Sequence, residues 1–368
     1  MTLTQNLHDV SLIEAGDCIA ETGPEEHGGL VHLVRGHMGT GKTSILKALA
    51  KRFPKHKAIL FDCTTKDLGD LMIPNLKMGE DVSYVSFALN EELGLHLDQP
   101  VILCFDEYGK ANPSVKLALL GVMQERMMAG RKLHPDSIIF ATTNHGSEGV
   151  GDLLPPHACN RIVQLRIRKP TWQEWVEWGV HNNIDHRLLG WVKTTPQVFA
   201  TYDEVKDPND NHYIFDPRAK DRTAFVTPRS LEKASFILRK LDKLSEHVIT
   251  AQLVGMIGRV AAEELMAFVR LADDLPSTES IVQDPHSAKV PETSAGTCMV
   301  VWRMLNNIER AWVPAWFTYM DRLDKEAQGF FINGVRDKDY DTKRREVVVQ
   351  DAKYGEWCAN NSWMFAGA

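Results

Sequence analysis

No apolar stretch of this chain approaches the roughly 20 residues that a membrane-spanning helix needs. The first residues, Met1-Thr2-Leu3-Thr4-Gln5-Asn6, also lack the basic and apolar regions of a signal peptide, so the expected compartment is the cytoplasm, of a bacterium or of a phage-infected cell. Cysteine is sparse. The six residues Cys18, Cys63, Cys104, Cys159, Cys298 and Cys358 are scattered without metal-ligand spacing and read as reduced thiols. An excess of basic charge is missing too: 42 Lys and Arg stand against 49 Asp and Glu, for a net charge of -7. That balance argues against a generally basic surface of the kind that binds nucleic acid without sequence preference. There is no internal repeat. What remains is an ordinary globular composition, 43% hydrophobic and 25% charged, in 368 residues. A length prior of about 150 residues per domain then gives roughly two domains.

The most informative segment is Gly36-His37-Met38-Gly39-Thr40-Gly41-Lys42-Thr43, followed by Ser44. It fits the glycine-rich loop that cradles nucleotide phosphates. The run Leu30 to Val34 before it reads as a buried strand, and Ser44 to Leu49 after it as the first turns of a helix, which is the context the motif needs. Glycines allow backbone N–H groups to turn toward phosphate oxygens, and the helix adds its partially positive N-terminus to the same anion site. Lys42 is placed to reach the terminal phosphates, and Thr43 to offer its hydroxyl to Mg2+.

Further apolar strands are predicted at Ala58 to Phe61, Val101 to Phe105, Ser137 to Thr142 and Ile162 to Ile167. With the first, they make a mostly parallel five-stranded sheet flanked by helices, an α/β class of fold. Lys169-Pro170 ends this region, because the residue before a proline is steered away from helix. The chain therefore divides into an α/β nucleotide-binding domain over residues 1–169, a helical domain over 170–275, and a linker with a helical C-terminal extension over 276–368. Helices are predicted at Ser230 to Leu244 and Val248 to Ala272.

Asp106-Glu107 end a buried strand at the sheet edge where open α/β folds place ligands. Mg2+ takes oxygen ligands and keeps several waters, so Asp106 with Thr43 suffices to hold it. Glu107 is then the candidate to orient and activate the attacking water. The next strand ends in Thr142-Thr143-Asn144, whose Asn144 amide can hydrogen-bond that water or the terminal phosphate. His37 and His145 lie near the phosphate region, but neither has a partner at metal-ligand spacing, and no transition-metal site is expected.

The order of phosphate loop, Asp106-Glu107, Asn144, Arg161 and Thr227-Pro228-Arg229 resembles AAA+ ATPases. Within them, the run Asp106 to Pro113 followed by Leu120-Gly121-Val122-Met123-Gln124-Glu125-Arg126 is similar to the MoxR branch. That branch usually carries Ile-Asn-Arg-Ala after the acidic pair, whereas this chain has Tyr108-Gly109-Lys110-Ala111, and lysine does not reproduce the planar fork of arginine. The resemblance implies an AAA+ core with a small helical lid and ATP as the nucleotide. It also implies a ring, usually a hexamer of identical chains, in which a neighbour supplies an arginine finger. Arg161, in Ala158-Cys159-Asn160-Arg161-Ile162, matches the finger, with Arg126 as its rival, and Arg229 matches a second sensor on the lid. It further implies that hydrolysis remodels or activates a client protein, often one with a von Willebrand factor A (VWA) domain, in metal insertion or complex maturation. The alternative, a DNA-directed AAA+ motor such as a helicase loader or clamp loader, requires a basic groove or an added DNA-binding module; the acidic net charge and the absence of a recognisable module count against it, while a local basic pore or patch stays open. A nucleotide switch that binds without hydrolysing is disfavoured by the intact Glu107.

Residues 64–98 exceed one crossover helix and read as a short helix interrupted by a β-hairpin around Gly79 to Phe87. The family places a pore-facing insertion here, so Tyr84 and Phe87 are candidates to touch a client. Trp172, Trp175 and Trp178, and later Trp302, Trp312 and Trp316, recur on predicted helices and are assigned to packing.

Overall fold

The computed structural model describes residues 8–78, 83–145, 159–219, 224–272, 275–338 and 340–361. The hairpin positions Gly79 to Val82, the finger-motif residue Ala158 and the opening Met1 to Asn6 lie outside the described residues. The chain divides into two compact units, Met1–Pro170 and Thr171–Ala368.

In the first unit the strands are β1 (Asp9–Val10), β2 (His32–Gly36), β3 (Lys57–Asp62), β4 (Met72–Met78), β5 (Ser83–Leu89), β6 (Val101–Asp106), β7 (Met127–Met128), β8 (Arg131–Lys132), β9 (Ile138–Thr143) and β10 (Val163–Ile167). Its helices are α1 (Leu12–Thr22), α2 (Ser44–Arg52), α3 (Leu68–Leu71) and α4 (Pro113–Glu125). Six strands form one parallel sheet in the order β1-β10-β2-β9-β6-β3. The α/β class with helix-flanked strands is therefore the one expected, with a correction from five strands to six. The added strand, β1, is two residues long, too short for a periodic signal.

The strand order positions the site. The phosphate-loop strand β2 and the acidic strand β6 are not neighbours, because β9 lies between them. The sheet is covered on both faces, which explains why its strands read as continuous apolar runs. Val34, Ile102, Cys104, Ile138 and Phe140 join Ile45 and Leu49 of α2 in one core. Alternate residues Leu33, Leu103, Phe105, Ile139 and Ala141 join Val115, Leu119 and Val122 of α4 in the other. Helix starts are fixed locally: Ser11 and Glu14 form a reciprocal cap on α1, and Pro113 occupies the first turn of α4.

The insertion between β3 and β6 contains the four-residue α3 and the antiparallel β4–β5 ribbon. Its pairing puts Pro74 opposite Phe87, Leu76 opposite Val85, and Lys77 opposite Tyr84. Side chains alternate along a strand, so Phe87 and Tyr84, three apart, lie on opposite faces of the ribbon.

The second unit is helical: α5 (Trp172–His181), α6 (His186–Thr194), α7 (Pro228–Leu238), α8 (Glu246–Ile257), α9 (Arg259–Ala272), α10 (Thr278–Gln283), α11 (Ser294–Asn307), α12 (Val313–Met320), α13 (Lys325–Arg336), α14 (Thr342–Val349) and α15 (Ala352–Asn360). One core runs from Trp175 to Trp357 and includes Trp302 and Trp316. Trp172 and Trp312 pack partly against it, whereas Trp178 is exposed. The single helix expected over Val248 to Ala272 is two, broken at Gly258. There φ is +87° and an added Cβ would lie 2.8 Å from the Ala224 carbonyl oxygen, a backbone position that glycine alone fits without strain.

Candidate nucleotide-binding site

The phosphate-loop motif occupies the turn between β2 and α2, with Gly39 at φ +73° and Gly41 at φ +94°. Both values lie in the left-handed region that favours glycine. Gly36 has a different reason for its identity. A Cβ there would meet the Ile167 carbonyl oxygen at 3.0 Å, so a larger residue would crowd the neighbouring strand. The Thr40 hydroxyl donates to the His37 carbonyl at 2.9 Å and braces the loop from within.

Lys42 is only 6% exposed, and its ammonium donates to Gly36 O at 2.8 Å, His37 O at 2.9 Å and Asn144 Oδ1 at 2.8 Å. The Asn144 side chain is thereby oriented: Oδ1 accepts from Lys42, and Nδ2 donates to the Glu107 carboxylate oxygens at 3.3 and 3.4 Å. The Glu107 Oε2 in turn pairs with Lys110 Nζ at 2.9 Å. One continuous polar chain thus runs Lys42, Asn144, Glu107, Lys110 across three strand ends.

Beside it, the Thr43 hydroxyl donates to Asp106 Oδ1 at 3.2 Å. The same oxygen accepts from the Thr142 hydroxyl, which also accepts from the Glu107 backbone N–H at 3.3 Å. Thr142 is a site residue that sequence reasoning passed over. Its only signal was its register, one step beyond the Phe105–Ala141 pairing of β6 and β9. Glu107 sits at φ +53°, uncommon for a non-glycine residue. The turn that follows is anchored: Lys110 N–H donates to Glu107 O at 2.8 Å, and the buried Tyr108 donates its hydroxyl to Lys116 O at 2.9 Å.

His37 and His145 meet edge to face with ring centroids 4.6 Å apart, linking the loop to the end of β9. Burial, then the charges of His37, Arg166, Lys42 and Arg35, push His145 down to about 3, so its ring is neutral at physiological pH. Thr64, Thr65, Lys66, Asp67, Lys110 and Asn112 are among the residues lining a polar pocket of about 410 Å3.

The two candidate finger arginines differ in kind. Arg126 is 5% exposed, at φ +53°, and its guanidinium donates to Gly23 O at 3.2 Å, to Pro135 O at 3.4 Å and to Ser137 O. Burial pushes its pKa down, with Glu25 acting against the shift. It is a fixed brace that cannot project to a neighbouring molecule. Arg161 is exposed just ahead of β10 and donates to Gln124 Oε1 at 2.8 Å. Arg229 is exposed in the first turn of α7, behind the Thr227 N-cap, and belongs to the second unit.

The donor set suits Mg2+. A hydroxyl and one carboxylate, both oxygen donors, lie side by side at the loop, leaving coordination positions for water and substrate. Among the described residues there is no group of three or more His, Cys, Asp or Glu that could hold a metal ion by itself.

No family model matches the chain, and no curated protein matches it. Solved structures do align with it. A mutant of Thermotoga maritima RuvB is 12% identical over 77% of each chain, with a TM-score of 0.37. Hsp104 in a closed state with ATPγS and casein is 18% identical over 72% of this chain and 47% of its own, with a TM-score of 0.34. A Cytophaga hutchinsonii putative ATPase is 15% identical over 70% of this chain and 88% of its own, with a TM-score of 0.31. At these scores the fold rests on the chain's own sheet order and loop geometry. Among the described residues no helix is long and apolar enough to cross a membrane.

Proposed function

We propose that the chain is a Mg2+-dependent ATP hydrolase of the AAA+ class, MoxR type, whose turnover remodels or activates a partner protein. The observation that carries this reading is the convergence of Lys42, Thr43, Asp106, Glu107 and Asn144 at adjacent strand ends. Loop residues Gly36 to Ser44 hold the phosphates. Thr43 and Asp106 hold the metal, which offsets phosphate charge when bound.

The water oxygen forms a bond to the γ-phosphorus while the bond from phosphorus to the bridging oxygen breaks. ADP departs with that electron pair. Glu107 orients the water and takes its proton, later passing it to solvent. Asn144 steadies the water or the γ-phosphate from the strand between. By the family resemblance, Arg161 of a neighbouring copy is the proposed finger and Arg229 the proposed second sensor, in a ring that is hexameric in the family resembled. The fixed packing of Arg126 supports Arg161 as the finger.

The β4–β5 ribbon supports the remodelling role. Leu76, Val85, Phe87 and Met78 leave an apolar face open to solvent, suited to a client segment. The test is ATP turnover by the full chain with and without Mg2+, followed by a pull-down with Glu107→Gln under ATP. Metal-dependent turnover and a client retained only with ATP support the reading. Absent turnover in the wild-type chain sinks it.

A further inference from the structure

Lys110 stands where the resembled family carries arginine, and it makes a specific contact. Its Nζ lies 2.9 Å from Glu107 Oε2, across a single 3-10 turn, Tyr108–Lys110. The other contacts of that carboxylate are the longer ones, 3.3 and 3.4 Å, from Asn144 Nδ2. Asn144 is itself shared, because its oxygen accepts from Lys42 at 2.8 Å. Every proton that Lys42 commits to a phosphate is one it must withdraw from these protein acceptors, since an ammonium has three donors. Of the polar chain Lys42, Asn144, Glu107 and Lys110, the Lys42 to Asn144 link is the one such a withdrawal can reach directly. The Lys110 contact to Glu107 involves neither Lys42 nor Asn144 as a partner.

The surroundings hold Lys110 in place. Its backbone N–H closes on the Glu107 carbonyl at 2.8 Å, and the buried Tyr108 pins the turn to α4. Its side chain, partly exposed, also lines the polar pocket.

We infer that Lys110 is the positioning residue for Glu107, fixing the carboxylate toward the attacking water throughout the turnover cycle. The inference rests on the ATPase reading above. Lys110 touches neither substrate nor metal; it acts through Glu107. Its contribution should thus appear in the rate of hydrolysis and not in nucleotide affinity. A half-exposed ion pair is a modest restraint, and loss of orientation at a reacting group amplifies it, so the expected penalty is about fivefold in kcat.

The experiment compares the full chain with Lys110→Met and Lys110→Arg in steady-state ATP turnover and in equilibrium binding of a fluorescent ATP analogue. Lys110→Met should lower kcat about fivefold with the affinity for the analogue held within twofold of wild type. Lys110→Arg should recover most of the rate. The residual single-turnover rate of Glu107→Gln should be unchanged when Lys110→Met is added, because the restraint has lost its object. A Lys110→Met chain that hydrolyses at the wild-type rate or faster overturns the inference. So does an equal loss in the Glu107→Gln background, which would mark Lys110 as a general brace for the turn. A variant that loses the analogue as well as the rate also contradicts it. No turnover by the wild-type chain is a different failure, that of the ATPase reading itself.

Discussion

Two regions of the first unit handle their side chains in opposite ways. At the ends of β2, β9 and β6, polar groups are enclosed and paired with one another: Lys42 with Asn144, Asn144 with Glu107, Thr43 and Thr142 with Asp106. On the β4–β5 ribbon, apolar groups are left in water, with Leu76 64% and Phe87 44% exposed. Buried polar groups cost free energy unless satisfied, and exposed apolar surface costs free energy unless covered. The first region meets its requirement within one chain. The second leaves it unmet among the described residues, and this contrast underlies the proposed division between a catalytic site and a client-contacting ribbon.

Substitutions separate these roles, and the largest effect belongs to the enclosed region. Lys42→Ala removes the cation from the loop and is expected to lower ATP affinity and turnover by more than about 100-fold, the scale on which a preorganised electrostatic donor acts; titration calorimetry and phosphate release measure both. Glu107→Gln is expected to slow hydrolysis about 100-fold, within the range of general-base effects, while binding is retained. Equal loss of binding would move Glu107 out of the water-activating role.

Arg126→Ala tests whether a buried arginine near the site is a brace. It removes the guanidinium donor from the carbonyls of Gly23 and Ser137, while Pro135 O keeps the Glu25 N–H, so denaturant unfolding should show about 3 kcal/mol of destabilisation. Wild-type stability together with lost turnover would assign it to catalysis instead.

Acid is expected to weaken the same unit. Burial holds His32 down to about 4 and His145 down to about 3, both below the ordinary value of 6.5. The unfolded chain takes up these protons first, so stability is full above about pH 6.5 and is lost as pH falls toward 4. Each such group contributes about 1.4 kcal/mol per pH unit in that window. His145→Asn should flatten the slope of stability against pH.

The smallest effect is expected on the ribbon. Leu76→Ser with Phe87→Ser should change stability by less than about 0.5 kcal/mol and leave basal turnover within about twofold, since both side chains face solvent. Stimulation by a client should disappear. A drop in basal turnover would break the contrast between the two regions.

Motifs local in sequence were legible before any coordinates. The glycine pattern around Lys42 and the acids ending an apolar run each carry their geometry within a few residues, and the five longer strands carry it in continuous hydrophobicity. What escaped depends on contacts between distant segments. Thr142 reaches Asp106 only because β9 inserts between β2 and β6. The Lys110 contact needs a 3-10 turn and a left-handed Glu107, neither of which composition reveals. The break at Gly258 combines a left-handed φ with a close approach to the Ala224 carbonyl, a contact distant in sequence. Placement of Tyr84 and Phe87 on opposite ribbon faces follows from simple alternation once the strand is known, and it separates two aromatics that share a segment.

The central claim is that the loop and the acidic strand end act on one metal-bound nucleotide. Coupling between Thr43 and Asp106 tests it most directly, by measuring Mg2+-dependent ATP binding for Thr43→Ala, Asp106→Ala and the double substitution. Both single changes should weaken binding, and the double should be little worse than the more severe single, because the two oxygens serve one ion. Fully additive losses, or binding in which either residue is indifferent to Mg2+, would contradict the account.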